Sequence, residues 1–524
     1  MKKAIITGMF LMILLSMLKA QDKYWVFFTD KEGVSFDPYE YFDQKAIDRR
    51  IAHGVSLYDI TDFPVKAEYL RGVEVLADSL SHHSRWFNAV ATYAGDEQIR
   101  AIGELPYVQA VQAFSERQMQ YAGIADYDTT LAFRDGLMLE EQTEELGMSV
   151  FQEHGIDGEG VRVAVFDGGF PGVDEIPVFE HIRENNRILK TYDFAKDRID
   201  VYHGMRHGTM VLSNIAGKIG SRDLGMAPQA EFLLARTEIR REPFSEEENW
   251  MAAMEWADKH GAQIINSSLG YIYHRYFPEQ MDGTHSLVAK AANMAAAKGM
   301  LVINAAGNNG NDDFWKVIGT PADADSVLAV GGIDPNTGYR IRFSSFGPTA
   351  DMRMKPNVSA FGKVIVAGKN ELSHSFGTSF AAPLVTGFAA CALQAKPELK
   401  AMELFREIEK SGRLYPYFDY AHGFGVPQAD HFVREYQEPE KTFKFVEKED
   451  RVLVNVREEV FENQEHSTRF LLFYNFEEPS GVLYKYYVVS VHDTEVLNID
   501  RTEVPEGCKI NVHYVGYTDT FEFD

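Results

Sequence analysis

Cysteine is almost missing: the 524 residues include only Cys391 and Cys508, which excludes a disulfide scaffold and any Cys-rich metal knuckle and leaves at most one bridge. Positive charge is scarce as well. With 52 Lys and Arg against 78 Asp and Glu the net charge is −26, and no run of five basic residues occurs. A nucleic-acid partner, whose phosphates are bound chiefly through cations, is therefore not expected. There is no GxxxxGK[ST] loop and no GxGxxG after a strand, and neither a GxSxG elbow nor an HExxH helix. His203 and His207 have the spacing of a metal-ligand pair, but Gly204 falls between them and no third ligand cluster follows, so no catalytic metal is expected. Beyond the first twenty residues no stretch reads as long and apolar enough to span a bilayer. Neither internal repeats nor low-complexity tracts are visible.

What is present is enough for about three domains, since 45% hydrophobic and 13% aromatic content can supply a core to each. Residues 1–20, MKKAIITGMFLMILLSMLKA, carry two lysines, an apolar run from Ala4 to Leu18 and a small residue, Ala20, ahead of Gln21. This is the pattern of a secretory signal peptide, the run being short of the roughly 18–20 residues a spanning helix needs. The mature chain is expected to be exported and soluble, secreted or periplasmic, without a membrane span. Residues 21–114 alternate strand-like segments (YWVFFTD, FNAVATYA, YVQAVQAF) with helical ones (YEYFDQKAIDRRIA, DEQIRAIGELP) in an α+β pattern. Residues 115–145 are polar and without sustained apolar periodicity, which reads as an exposed linker open to proteolysis. From 146 to 435 apolar strands alternate with helical stretches, the pattern of an α/β domain with a parallel sheet. One of those helices, SEEENWMAAMEWADKHG, carries Ser245 and Glu248 at the spacing of a capping box. Residues 436–524 are rich in Val, Phe, Tyr and Thr at strand spacing and suit an antiparallel β-sandwich without helices.

Three segments of the α/β domain place a reactive residue at an element end. Asp167 follows the strand VRVAVF and precedes two glycines, at the carboxyl edge of the sheet where open α/β sheets build their sites. His207, in RHGTMVLSNIAG, stands at a helix start. Ser379, in SFGTSFAAPLVTGFAA, opens a small-residue helix that tolerates Pro383 near its first turn. Singly, each has an ordinary structural explanation as a turn, a helix-start residue or an N-cap. Together they supply carboxylate, imidazole and hydroxyl in the order Asp, His, Ser, the order of subtilisin and not of chymotrypsin or the α/β-hydrolases.

On GTSFAAP (377–383), HGT (207–209) and the D-x-G at 167–169, the chain resembles the subtilase family of subtilisin-like serine endopeptidases over roughly 150–429. The resemblance implies Asp167, His207 and Ser379 as catalytic triad and Asn308, in AAGNNG (305–310), as side-chain donor to the oxyanion. It implies that Ser268, Leu269 and Gly270, with Ala305, Ala306 and Gly307, flank the first specificity pocket. Gly319 falls at the pocket floor, where the missing side chain suggests an open pocket for large or apolar residues. The substrates implied are proteins or peptides, and no cofactor is required for catalysis. Acidic loops such as NDD (311–313) leave structural calcium open. The block 21–114 resembles the family's inhibitory propeptides in position, size and pattern. Two departures stand out: Gly168 replaces the usual Ser or Thr after the aspartate, and Met210 replaces the second His of HGTHVAG. A weakly active or inactive subtilase fold serving as a surface-binding module is the alternative, and an exported esterase would need the missing nucleophile elbow.

Overall fold

The computed structural model describes residues 22–114, 133–239, 245–272, 275–369, 372–462 and 470–523. The expected signal peptide, residues 1–20, and residues 115–132 of the expected linker lie outside them. The N-terminal block runs β1 (Asp22–Phe28), α1 (Gln44–His53), α2 (Ala67–Leu76), β2 (Ser79–Ser84), β3 (Ala89–Ala94), α3 (Asp96–Gly103) and β4 (Val108–Ala113). Its four strands pair antiparallel in the order β2-β3-β1-β4. Helix α2 and strand β2 had no counterpart in the sequence reading. One face of α2 carries Tyr69 and Val73, both buried at the i, i+4 spacing of a helical stripe.

The expected linker is a helix over its second half. Here α4 (Phe133–Glu144) lies on the α/β domain, with Leu139 buried and Gln142 fully enclosed. The Gln142 amide donates to the carbonyls of Leu224 (2.8 Å) and Ile365 (3.2 Å) and accepts from Ile365 N (2.8 Å). One of its two anchors is thus a polar side chain, which apolar periodicity does not register.

The α/β domain is built on β5 (Arg162–Asp167), β6 (Ile188–Asp193), α5 (His207–Ala216), β7 (Glu231–Arg236), α6 (Ser245–Lys259), β8 (Ile264–Ser267), α7 (Leu287–Ala297), β9 (Leu301–Ala305), β10 (Val327–Ile333), β11 (Val358–Phe361) and α8 (Thr378–Ala395). The seven strands form one parallel sheet in the order β11-β10-β9-β8-β5-β7-β6. Alternation along each strand sends Val163, Val165, Ile303 and Val330 to the face under α5 and α8, and Ala164, Phe166, Val302 and Val327 to the face under α6 and α7. Helix α8 is long and apolar enough to cross a membrane by composition, contrary to the sequence reading, yet 83% of it is buried. Its apolarity is that of a mostly buried core helix.

Trp25, Trp86, Ala89 and Ala91 of the N-terminal block join the core beneath α6 and α7, so that block is docked on these two helices. Charge follows the same seam. Arg49 and Arg50 meet Asp258 of α6, Arg50 also meets Asp62 (2.7 Å), and Lys298 just after α7 meets Asp62 (2.9 Å), all of them buried. Glu248 accepts from Lys23 and from His82 N, so its carboxylate serves this interface.

The last block contains β12 (Phe443–Glu447), β13 (Arg451–Val456), β14 (Leu471–Glu477), β15 (Leu483–Ser490), β16 (Glu495–Asp500), β17 (Lys509–Tyr514) and β18 (Tyr517–Glu522). Two antiparallel sheets, β12-β13-β16 and β15-β14-β17-β18, enclose a shared core of Phe443, Val454, Leu472, Ile510 and Val512. Among the described residues a short α-helix, Glu458–Glu462, and a 3-10 turn, Arg501–Glu503, interrupt the strands.

Candidate active site

Strands β5, β8 and β9 lie together in the sheet, and their carboxyl ends carry Asp167, the segment 268–270 and the segment 306–308 to one edge. Asp167 is fully buried. Its Oδ1 accepts from Gly168 N (2.7 Å) and its Oδ2 faces Nδ1 of His207 at 2.8 Å. A carboxylate opposite Nδ1 requires the proton there, which makes Nε2 the basic nitrogen of the ring. Helix α5 starts close enough to Asp167 for this contact because residue 208 is glycine: a Cβ there would come within 2.4 Å of the Gly169 carbonyl and 2.9 Å of the Asp167 Cβ. Thr209 ties the same corner by donating to the Pro171 carbonyl at 2.9 Å.

Ser379 is half-buried in the first turn of α8, and the ring of the next residue, Phe380, lies 5.5 Å from the His207 ring. Its hydroxyl donates to the Ser268 carbonyl (3.3 Å), while the Ser268 hydroxyl donates to the Ser379 carbonyl (2.8 Å). Asn308 is exposed beside this helix start. Its Oδ1 accepts from both Thr378 N (2.8 Å) and Thr378 Oγ1 (3.0 Å), which fixes the amide so that Nδ2 is the end facing Gly377. Thr378 Oγ1 also accepts from Gly307 N at 3.1 Å, and the Asn304 amide donates to the Leu269 carbonyl at 2.8 Å, so both walls of the cleft are cross-tied.

Of the expected pocket residues, Ser268, Ala305, Ala306 and Gly319 are buried, Leu269 and Gly307 half-buried, and Gly270 exposed. Tyr271 and Thr320 form a β-bridge that brings the two segments together. At Gly319, the expected pocket floor, a Cβ would lie 2.7 Å from Ile272 Cγ2. The departures have local reasons. Met205 packs where a side chain at 168 would point, its Cε 2.1 Å from the Cβ position, and Met210 is buried in the core. His203 stands in the loop ahead of α5 and faces Asp193 (3.2 Å), apart from the His207–Asp167 pair. Among the described residues no group of three or more His, Cys, Asp or Glu is placed to hold a metal ion. Both cysteines are buried and free.

The sequence reading missed two supports of the site. Arg236, at the end of β7, donates through Nε to the Gly168 carbonyl (3.0 Å) and through Nη1 to both oxygens of buried Asp193 (3.0 and 2.9 Å), holding the loop behind Asp167. Beside it Glu238 accepts from Tyr271 OH (2.8 Å), and Glu246 accepts from Ile239 N (2.9 Å) and Arg275 (3.4 Å). Burial and the neighbouring Glu238 carboxylate push Glu246 up to about 10. The available signal was a pair of charges closing an otherwise apolar strand, EFLLARTE.

The sequence is similar to known proteins along most of this length. The profile described as the Subtilase family matches residues 158–425, just over half of the chain, and that of the Peptidase S8 propeptide domain, Bacteroidota, matches 23–127. The second match runs past the block 21–114 into residues expected as linker. Subtilisin DY of Bacillus licheniformis is 30% identical over 254 residues, 48% of this chain and 84% of that protein. Alkaline elastase YaB of Bacillus sp. (strain YaB) is 26% identical over 358 residues, 66% and 86% of the two chains. Among solved structures, MycP1 from Mycobacterium smegmatis aligns at 23% identity and a TM-score of 0.45, covering 57% of this chain and 85% of that one. The aspartate, histidine and serine segments all fall inside the larger profile match, and the docked N-terminal block falls inside the smaller. The chain belongs to the subtilase family of serine proteases and carries that family's propeptide domain ahead of its α/β domain.

Proposed function

We propose that the protein is an exported endopeptidase that hydrolyses protein or peptide substrates through an acyl-enzyme. The observation that carries this reading is the buried 2.8 Å contact between Asp167 and His207 Nδ1 next to the helix start that bears Ser379. Ser379 Oγ leaves the Ser268 carbonyl and attacks the substrate carbonyl while His207 Nε2 takes its proton. Asp167 holds the imidazole in the required tautomer and stabilises the imidazolium, which then protonates the leaving amine. Water enters by the same route in reverse and frees Ser379. Asn308 Nδ2, aimed by the bonds from Thr378 to its other end, donates to the oxyanion, with backbone N–H groups at the start of α8. Catalysis in this reading needs no cofactor. The N-terminal domain acts as inhibitor until the chain is cut after it.

A fluorophosphonate probe tests the reading, because only a serine activated by a neighbouring base is nucleophilic at neutral pH. The purified protein should be labelled at Ser379, and labelling should fall on acidification, since a protonated imidazole cannot accept the hydroxyl proton. Absence of labelling, or labelling that survives Ser379→Ala, would falsify the protease reading.

A further inference from the structure

The described residues contain a second buried His–Asp pair that the chemistry does not use. His422 and Asp419 lie near the end of the α/β domain, ahead of the C-terminal sheets, 4% and 0% exposed. His422 Nδ1 faces the two Asp419 oxygens at 3.0 and 3.1 Å, so the proton is on Nδ1. Nε2 accepts from Arg340 N at 3.0 Å. Because that acceptor is already filled by a backbone donor, the ring is built to hold a segment in place and not to move a proton.

The segment it holds leads to the oxyanion turn. Arg340 reaches forward with Nη1 to the Ser344 carbonyl. Phe343 O accepts from Gly310 N (2.7 Å), Ser345 N donates to Gly307 O (2.9 Å), and Ser345 Oγ accepts from Asn309 N (3.2 Å). The turn that presents Asn308 therefore rests on residues 343–345 at three points. The fit leaves no slack, since a Cβ at Gly310 would lie 2.1 Å from the Ser344 carbonyl oxygen. Gly347 N, donating to the Tyr420 carbonyl at 3.0 Å, gives the same segment a second tie.

The other side of the His422 pair is packed by the C-terminal domain. Phe473 of β14 sets its ring edge-on to His422 at 5.3 Å and contacts Tyr417 at 6.1 Å, and Asn475 donates to the Phe418 carbonyl at 2.7 Å. We propose that His422 is a positioning residue for the Asn308 turn, and that through it the C-terminal β domain is a working part of the active site. The proposal rests on the reading of Asn308 as oxyanion donor and deepens it.

The experiment compares turnover per active site, titrated with the fluorophosphonate probe, in the full chain and its variants on a peptide substrate. His422→Leu removes the acceptor for Arg340 N and should lower kcat about 10–100-fold with KM changed less than about twofold, the pattern of a misplaced transition-state donor. His422→Gln, whose amide oxygen can accept from Arg340 N, should recover most of that loss. Phe473→Ala should move kcat in the same direction by less. In an Asn308→Ala background His422→Leu should add less than about a twofold loss, because both changes remove one interaction. Unchanged kcat per titrated site in His422→Leu, or an undiminished effect in the Asn308→Ala background, overturns the proposal while leaving the protease reading intact. A wild-type chain that neither labels nor turns over defeats both, and full turnover in Asn308→Ala defeats the oxyanion assignment together with the positioning role built on it.

Discussion

Thr378 spends its backbone N–H and its hydroxyl on the same oxygen of Asn308, so the free choice of an asparagine amide is removed before substrate arrives. Asn308→Ala should accordingly lower kcat by roughly 10²–10³, about 3–4 kcal/mol, with KM far less affected; that size is the known loss of one oxyanion donor in subtilisin, carried over to this chain through the shared family. Steady-state kinetics of the purified variant check it, and an unchanged kcat would place the donor elsewhere. Gly168→Ser, which restores the usual residue after the aspartate, should cost stability by about 1–3 kcal/mol, because the new Cβ meets Met205. Adding Met205→Ala should relieve that cost, and denaturant melts of the two variants decide it. Asp167, His207 and Ser379 could be singled out as candidates in the sequence because each stands in a short segment at an element end, and Asn308 followed from the family resemblance. Arg236 and His422 were not, since what they do is defined only by partners such as Gly168, 68 positions away, or Arg340, 82 positions away.

At the scale of elements, a strand with an unbroken apolar run such as Val327–Ile333 was readable, because burial on both faces leaves no polar alternation to misread. Helix α4 failed the same test for a physical reason: part of its hold on the domain is the Gln142 amide, and a glutamine in an acidic stretch looks like solvent-facing surface. Gln142→Ala should leave the Leu224 carbonyl and Ile365 N buried without partners and cost about 2–4 kcal/mol, read as a fall in melting temperature. If the melting temperature does not move, the helix is held otherwise. The Glu238 and Glu246 carboxyls should carry a pH dependence of their own. Glu246 is raised from 4.5 to about 10, so the folded state keeps a proton that the unfolded chain gives up. The stability tied to that proton is complete below the unfolded value and is lost progressively as pH rises towards the folded one. Glu246→Gln should therefore show a smaller drop in melting temperature than the wild type between about pH 7 and pH 9; parallel curves would mean that the carboxyl is ionised throughout.

For the whole molecule, three blocks were visible in composition, but not the way the first is seated. Its seam is written in residues about two hundred positions apart, such as Arg49 and Asp258, and no local pattern reports such a pairing. Asp258→Asn should weaken the seating by about 3–5 kcal/mol, because Arg49 and Arg50 would be left buried without their shared counter-charge. Limited proteolysis of that variant in the Ser379→Ala background should release the N-terminal domain, whereas the Ser379→Ala parent keeps it associated. Expression from Gln21 of the wild type and of Ser379→Ala, followed by N-terminal sequencing, tests self-processing: a new start within 115–145 in the wild type alone is the expected result. The same seam changes character when the connection is cut. While the chain is continuous, the N-terminal domain faces α6 and α7 at an effective concentration in the millimolar range, whatever the dilution of the protein. After one cleavage it becomes a separate molecule whose occupancy follows mass action, so an identical set of contacts that is saturated in concentrated protein empties on dilution.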